Sequence, residues 1–259
     1  MKRILPFIFI LLLCGCASRP APLEPASLPK GCTEPGEITR ATLPHPARGY
    51  TYYYEVYLPP CFSTESESHY PVLYLVPGRS SLPDTWFAAG LAEVVDNMIL
   101  NGEIPPFIIV TTENTDSDPM ADTIYKELIP AVETHYPILA DRRYRATAGG
   151  SLGGIAAYRL AFQYPDTFSS AGMFGAGAIS GEEPRIKDWL SAMNDANRPR
   201  VFMDTGDEDV LMLDRARVMK SILDEASVEN EFHMGHGGHN YSYWVSNFEM
   251  YLKWMTRDW

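Results

Sequence analysis

Short apolar runs alternate along the chain with stretches of helical periodicity. Thr51–Leu58 (TYYYEVYL) is aromatic and β-branched and stops at Pro59-Pro60, and Val72–Val76 (VLYLV) stops at Pro77-Gly78. Further runs follow at Phe107–Thr111, Arg145–Ala148, Ser170–Phe174 and Arg200–Asp204. Continuous apolar runs of this length fit strands buried on both faces, as in a mostly parallel sheet. Between them, helical spacing appears over Leu91–Leu100, at Ile124, Leu128 and Val132, and over Leu152–Tyr164. A fourth helix is marked by Val218, Ile222, Leu223 and Ala226. A last one carries Trp244, Phe248, Tyr251, Leu252 and Met255 on one face. This alternation predicts a single α/β domain, a doubly wound sheet with helices on both faces.

The chain is 259 residues long and 46% hydrophobic, enough for one such domain with a full core. It carries 33 acidic against 21 basic residues, a formal charge of −12. That balance argues against a nucleic-acid partner, which needs a basic face.

The N-terminus stands apart from the alternation. Lys2 and Arg3 precede ten apolar residues, Ile4 to Leu13, too few to span a bilayer and typical of a secretory signal. Leu13-Cys14-Gly15-Cys16 resembles a bacterial lipobox. That resemblance implies a signal peptide over 1–15, cleavage before Cys16, and lipid on Cys16 as a membrane anchor. The chain would then work outside the cytoplasm, and losing Lys2 and Arg3 would take its charge to −14. Residues 16–36 carry Pro20, Pro22, Pro25, Pro29 and Pro35 and read as an extended tether, with the folded domain over 37–259. Two cysteines remain, Cys32 and Cys61. In an oxidising compartment they suggest one disulfide between the tether's end and the first hairpin, with two free thiols as the alternative.

Candidate chemistry centres on Gly149-Gly150-Ser151-Leu152-Gly153-Gly154, where a strand gives way to a helix. A G-x-S-x-G sequence in that context predicts a tight turn that presents the serine hydroxyl above the sheet edge. Serine is a weak nucleophile and needs a base that is itself oriented by a carboxylate. Downstream, Asp204, Asp207 and Asp209 follow one strand run, and His233, His236 and His239 precede the terminal helix. The order serine, acid, histidine is that of α/β-hydrolases. The three histidines lie three residues apart, but two sit in a glycine-rich loop without fixed helical geometry, so no metal is expected.

The segments VYLPPCF, HYPVLYLVPG, IPPFIIV, ELIPAVETHYP, RATAGGSLGGIAAYRLAFQYPDTFSSAG, DTGDED and GGHNYSYW extend from about Val56 to Trp244. Together they resemble the esterase D-like branch of the α/β-hydrolases. That branch includes feruloyl and acetylxylan esterases, enterochelin esterases, S-formylglutathione hydrolases and mycolyltransferases. The resemblance implies Asp209 as the acid and His239 as the base, with Asp207 and His236 as fallbacks. It places one oxyanion-hole amide on Leu152 and the other on Arg79. The chain departs from the family by carrying Pro77 where a histidine usually precedes the glycine of that loop. Trp86 stands where the family has an aromatic near the acyl pocket, and core packing is the equal alternative.

The resulting expectation is a lipid-anchored serine ester hydrolase that forms an acyl-enzyme and needs no metal or organic cofactor. Feruloyl or acetyl esters of polysaccharide, or a siderophore ester, are the substrates the resemblance implies. Acyl transfer of the mycolyltransferase type and a non-catalytic binding protein are the competing readings.

Overall fold

The structure, a computed structural model, describes residues 23–45, 49–64, 68–114 and 120–259. The expected signal segment and Cys16 lie outside the described residues. Eight strands build one sheet: β1 (Glu37–His45), β2 (Tyr50–Leu58), β3 (Val72–Val76), β4 (Ile108–Thr112), β5 (Arg145–Gly150), β6 (Ser170–Phe174), β7 (Arg200–Gly206) and β8 (Asn230–Gly235). Their order is β1-β2-β4-β3-β5-β6-β7-β8. β2 runs antiparallel to both β1 and β4, and every pairing from β4 through β8 is parallel.

Alternation along β3 explains the two-sided core. Val72, Tyr74 and Val76 enter one apolar cluster, and Leu73 and Leu75 enter the other. Helix Leu152–Gln163 covers the first face, packed on β5 and β6. Helices Leu91–Leu100 and Phe248–Thr256 cover the second and contact each other. The helix expected from Ile124, Leu128 and Val132 runs through Met120–Thr123, a wider π turn at Ile124–Leu128, and Ile129–His135. Pro130 has no amide to donate to a preceding carbonyl, which accounts for the irregular turn before it. The expected terminal helix is two, Tyr241–Val245 and Phe248–Thr256.

Three features depart from the sequence reading. β1 and β8 are the sheet's edges, and neither carries a continuous apolar run. Over Glu37 to Pro44, β1 half-buries only Thr39, Ala41 and Leu43, while β8 reads NEFHMG and has no fully buried residue. Helix Glu183–Ala192, which the periodicity did not mark, buries only Ile186 and Leu190. The third departure is the tether, expected to run free through residue 36 but seated on the domain from Pro25. Pro25 bridges His69, the Ala26 amide donates to the His69 carbonyl at 2.8 Å, and Leu28 packs on the second core. The Gly36 amide donates to Asp96 Oδ1 at 2.9 Å. Proline holds this stretch extended, but its remaining amides and apolar side chains still find partners. Cys32 and Cys61 are joined by a disulfide with Cα atoms 6.0 Å apart, at a sequence separation of 29. Closing such a loop stabilises by about 2–4 kcal/mol.

Candidate active site

β3 is the switch point of the sheet: the chain passes from it to β4 on one side and then to β5 on the other. Loops leaving the carboxyl ends of β3 and β5 therefore border one crevice, where open α/β sheets bind ligands. The turn after β5 carries Ser151, with φ 54° and ψ −121°. A non-glycine residue in this region costs about 1–3 kcal/mol and must be held by its surroundings. Here the Ser151 amide donates to the Phe174 carbonyl at 2.8 Å, and its own carbonyl accepts from Ile155 at 3.2 Å. The flanking glycines permit the approach. A Cβ on Gly153 would lie 2.1 Å from the Val76 carbonyl oxygen, and one on Gly149 would lie 2.4 Å from the Gly153 carbonyl carbon.

His239 Nε2 lies 2.9 Å from Ser151 Oγ, and its Nδ1 lies 2.7 Å from Asp209 Oδ2. With the carboxylate on Nδ1, that nitrogen carries the proton and Nε2 is left to accept from the serine hydroxyl. Asp209 is 1% exposed. Its second oxygen accepts from the amides of Leu211 and Met212 at 3.1 and 3.0 Å, so the buried carboxylate is held by three donors. The loop after β7 is bound to the loop after β8 by Asp207 and Glu208 amides donating to the Gly235 and Gly237 carbonyls. A Cβ on Gly206 would lie 2.1 Å from the Gly237 oxygen, and this close approach brings Asp209 and His239 together. Trp244 meets the His239 ring edge-on at 5.3 Å between centroids.

The other histidines and aspartates form separate pairs. His236 bonds Asp207 at 3.2 Å on the surface. Asp207 is held below the usual aspartate range by the Gly237 amide and then by His236, while hydrogen bonding to Asp207 raises His236. His233 Nδ1 bonds Asp204 Oδ1 at 2.7 Å. Asp204, fully buried, also accepts from the Tyr243 hydroxyl at 2.8 Å and from the Tyr251 hydroxyl. Burial and the Asp204 carboxyl push both phenols well above their ordinary range. Among the described residues no group of three or more His, Cys, Asp or Glu is placed to hold a metal.

Leu152 opens the helix after the serine, so its amide is among the N-terminal donors that have no carbonyl partner within the helix. Arg79 follows β3 on an exposed loop. That loop is held at Pro77, whose carbonyl accepts from Asn114 Nδ2 at 2.9 Å, and at Gly78, whose amide donates to the Tyr241 hydroxyl at 3.1 Å. A cavity of about 410 Å³ opens beside the serine turn. Leu152, Ile155, Ala156, Ile179 and Met212 give it apolar walls, with Arg79, Arg159 and Arg215 also lining it. A larger groove of about 780 Å³, between Val94, Phe202 and Lys253, is lined by no residue adjoining the serine, whereas the smaller one is lined by Leu152, next to Ser151, and by Met212, whose amide holds Asp209. Proximity to the serine makes the smaller cavity the one of interest.

Trp86 is a correction. Its indole is fully buried, packed on Phe174, Tyr241, Trp244 and Phe248 beneath the serine turn, so it cannot line a pocket open to substrate. A Cβ on Gly150 would come within 3.1 Å of it. Sequence reasoning missed Tyr241, Tyr243 and Tyr251. The available signal was tyrosines among the apolar positions of the terminal helices, since a buried phenol requires a partner.

Strand order and a serine on a strained turn after β5 give the chain the α/β-hydrolase fold. A family model described as "Putative esterase" matches residues 48–255, and the chain belongs to that family. An endo-1,4-beta-xylanase/feruloyl esterase of Xylanibacter ruminicola is 31% identical over 169 residues, covering 59% of this chain and 23% of that protein. Endo-1,4-beta-xylanase Y of Acetivibrio thermocellus is 30% identical over 153 residues, covering 53% of this chain and 14% of that one. The chain thus matches less than a quarter of the length of these relatives. Among solved structures, a ferulic acid esterase superposes with a TM-score of 0.78 at 26% identity, covering 87% of this chain and all of the other. A feruloyl esterase module from Clostridium thermocellum, complexed with sinapinate, shares the fold with a TM-score of 0.73 at 20% identity, over 91% and 95% of the two chains.

Proposed function

We propose that this protein hydrolyses feruloyl or related acyl esters of polysaccharide through an acyl-enzyme on Ser151. The observation that carries the reading is the unbroken path from Ser151 Oγ through His239 to Asp209, at 2.9 and 2.7 Å. Ser151 attacks the acyl carbon while His239 Nε2 takes the hydroxyl proton, and Asp209 stabilises the imidazolium that forms. The amides of Leu152 and Arg79 meet the negative charge on the former carbonyl oxygen, a contribution worth about 10²–10³ in turnover per donor. Collapse of the intermediate expels the alcohol, which takes its proton from His239. Water then repeats the sequence and frees the acid. The cavity of about 410 Å³ is of ligand-pocket size, and its apolar walls suit a planar aromatic acyl group. The feruloyl esterases among the relatives support that choice of acyl group.

The lipobox-like sequence supports a second element of the proposal, attachment to the outer side of a bacterial membrane through lipid on Cys16. The test is hydrolysis of methyl ferulate and p-nitrophenyl acetate by wild type and Ser151→Ala. The wild type turns over both and the variant neither. Retained turnover in the variant overturns the mechanism, and acetate turnover without ferulate turnover overturns the acyl preference. Release of Cys16→Ala from the membrane fraction tests the anchor.

A further inference from the structure

The Tyr241 hydroxyl lies at the edge of the reaction centre with its acceptor side in use and its proton only weakly engaged. Gly78 donates its amide to this oxygen at 3.1 Å. A phenol has one proton to donate, and it needs an acceptor at about 2.5–3.0 Å. Among the described residues the acceptor it meets is Ser81 Oγ, at 3.5 Å, outside that range. Ser81 Oγ itself lies 3.4 Å from the Arg79 carbonyl. The bond from Gly78 polarises the phenol and strengthens it as a donor.

The position of the hydroxyl follows from Gly78. A Cβ there would lie 3.6 Å from the Tyr241 oxygen, 3.7 Å from the Gly150 carbonyl oxygen and 3.7 Å from Ser151 Cβ. The phenol and the serine thus border the same small gap, which the missing side chain of Gly78 leaves open. Arg79, the next residue, supplies one of the amides assigned to the oxyanion. The phenol ring is fixed by edge contacts to Trp86 and Trp244, each at 5.0 Å between centroids. A donor held this way reorganises little when charge develops in front of it.

We propose that the Tyr241 hydroxyl is a third donor to the oxyanion of the tetrahedral intermediate on Ser151, beside the amides of Leu152 and Arg79. The proton stays on the phenol and turns from Ser81 toward the developing charge. No bond is made or broken at Tyr241, which makes it a catalytic residue by electrostatics alone. The inference rests on the ester-hydrolase reading above.

Tyr241→Phe tests it, because phenylalanine keeps the ring contacts and removes only the hydroxyl. With two amides remaining, kcat should fall by about 10–100-fold, near the lower end of the loss for a single donor, with KM within twofold. Affinity for a trifluoromethyl ketone, whose adduct places an oxyanion on Ser151, should fall in parallel, while affinity for the free product acid stays constant. A kcat within twofold of wild type overturns the proposal, as does equal weakening of ketone and product. Replacing Tyr241 by 3-fluorotyrosine provides a second readout: the more acidic phenol should keep or raise kcat, and a loss matching that of phenylalanine overturns the assignment. Wild-type protein that turns over no ester overturns the hydrolase reading instead, so the two failures are distinguishable.

Discussion

Three aspartate–histidine pairs link β7 and its loop to β8 and its loop, and only one of them meets a serine. Asp204–His233 and Asp207–His236 are each separated by 29 residues, Asp209–His239 by 30. The first pair stands in strand register between β7 and β8, and the other two lie in the loops beyond. Asp204 and Asp209 are buried, whereas Asp207 is about half exposed and His236 is 82% exposed. The chemistry of each pair is the same. Position decides the rest: Asp204 spends its oxygens on two tyrosines and a histidine, Asp207 faces water, and Asp209 alone holds a ring whose far nitrogen reaches Ser151. A carboxylate beside a histidine is common hardware, and contact with a strained serine singles out the pair assigned to the proposed reaction.

Separating the pairs by mutation should give the largest effect in the molecule. His239→Ala removes the proposed base and should lower kcat for p-nitrophenyl acetate by about 10⁴-fold or more, and Asp209→Asn by about 10⁴-fold. His236→Ala should leave kcat within twofold. If His236→Ala matched His239→Ala, the exposed pair would be part of the site and the comparison would collapse.

The next effect belongs to stability. Asp204→Ala leaves the Tyr243 and Tyr251 hydroxyls and His233 without their shared acceptor. Removing such a group should cost about 3–5 kcal/mol. For a chain of this size that is a fall in melting temperature of roughly 10 °C, measured by calorimetry. Tyr243 also accepts from the Gly235 amide at 3.0 Å at the base of the His239 loop, so some activity should be lost below the melt. A melting temperature unchanged by Asp204→Ala would mean the buried network does not anchor that loop.

How much of this was legible in the sequence follows from where the information is local. The serine turn is written in six consecutive residues, because Gly149, Gly153 and Gly154 answer contacts with strands and a helix that immediately adjoin them. Chain order separated an acid after one strand from a histidine before the last helix, and the structure brings Ser151, His239 and Asp209 into contact. Central strands were visible since burial on both faces leaves only apolar residues. β1 and β8 were not, because an edge strand with one half-buried face looks like a polar loop. Trp86 was ambiguous for a related reason: its distance in sequence from the serine turn does not say whether it lies above or beneath it. Tyr241 and the Asp204 network were invisible because their partners lie up to 163 residues apart.

The smallest effect sharpens the comparison most cheaply. In the exposed pair, His236 is raised above its ordinary value of about 6.5, and Asp207 is held below its ordinary value of about 3.9. The His236 contribution to stability is fully present below about pH 6.5 and is lost as pH rises through the elevated folded value. The Asp207 contribution is present above about pH 3.9 and is lost as pH falls through the depressed folded value. The pair therefore helps most between those limits. A proton NMR titration should place the His236 midpoint above 6.5, and Asp207→Asn should bring it down toward that value. The same substitution should leave kcat/KM unchanged at every pH, since the exposed pair takes no part in the proposed reaction. An acid limb that shifts with Asp207→Asn would show the two pairs to be electrostatically one.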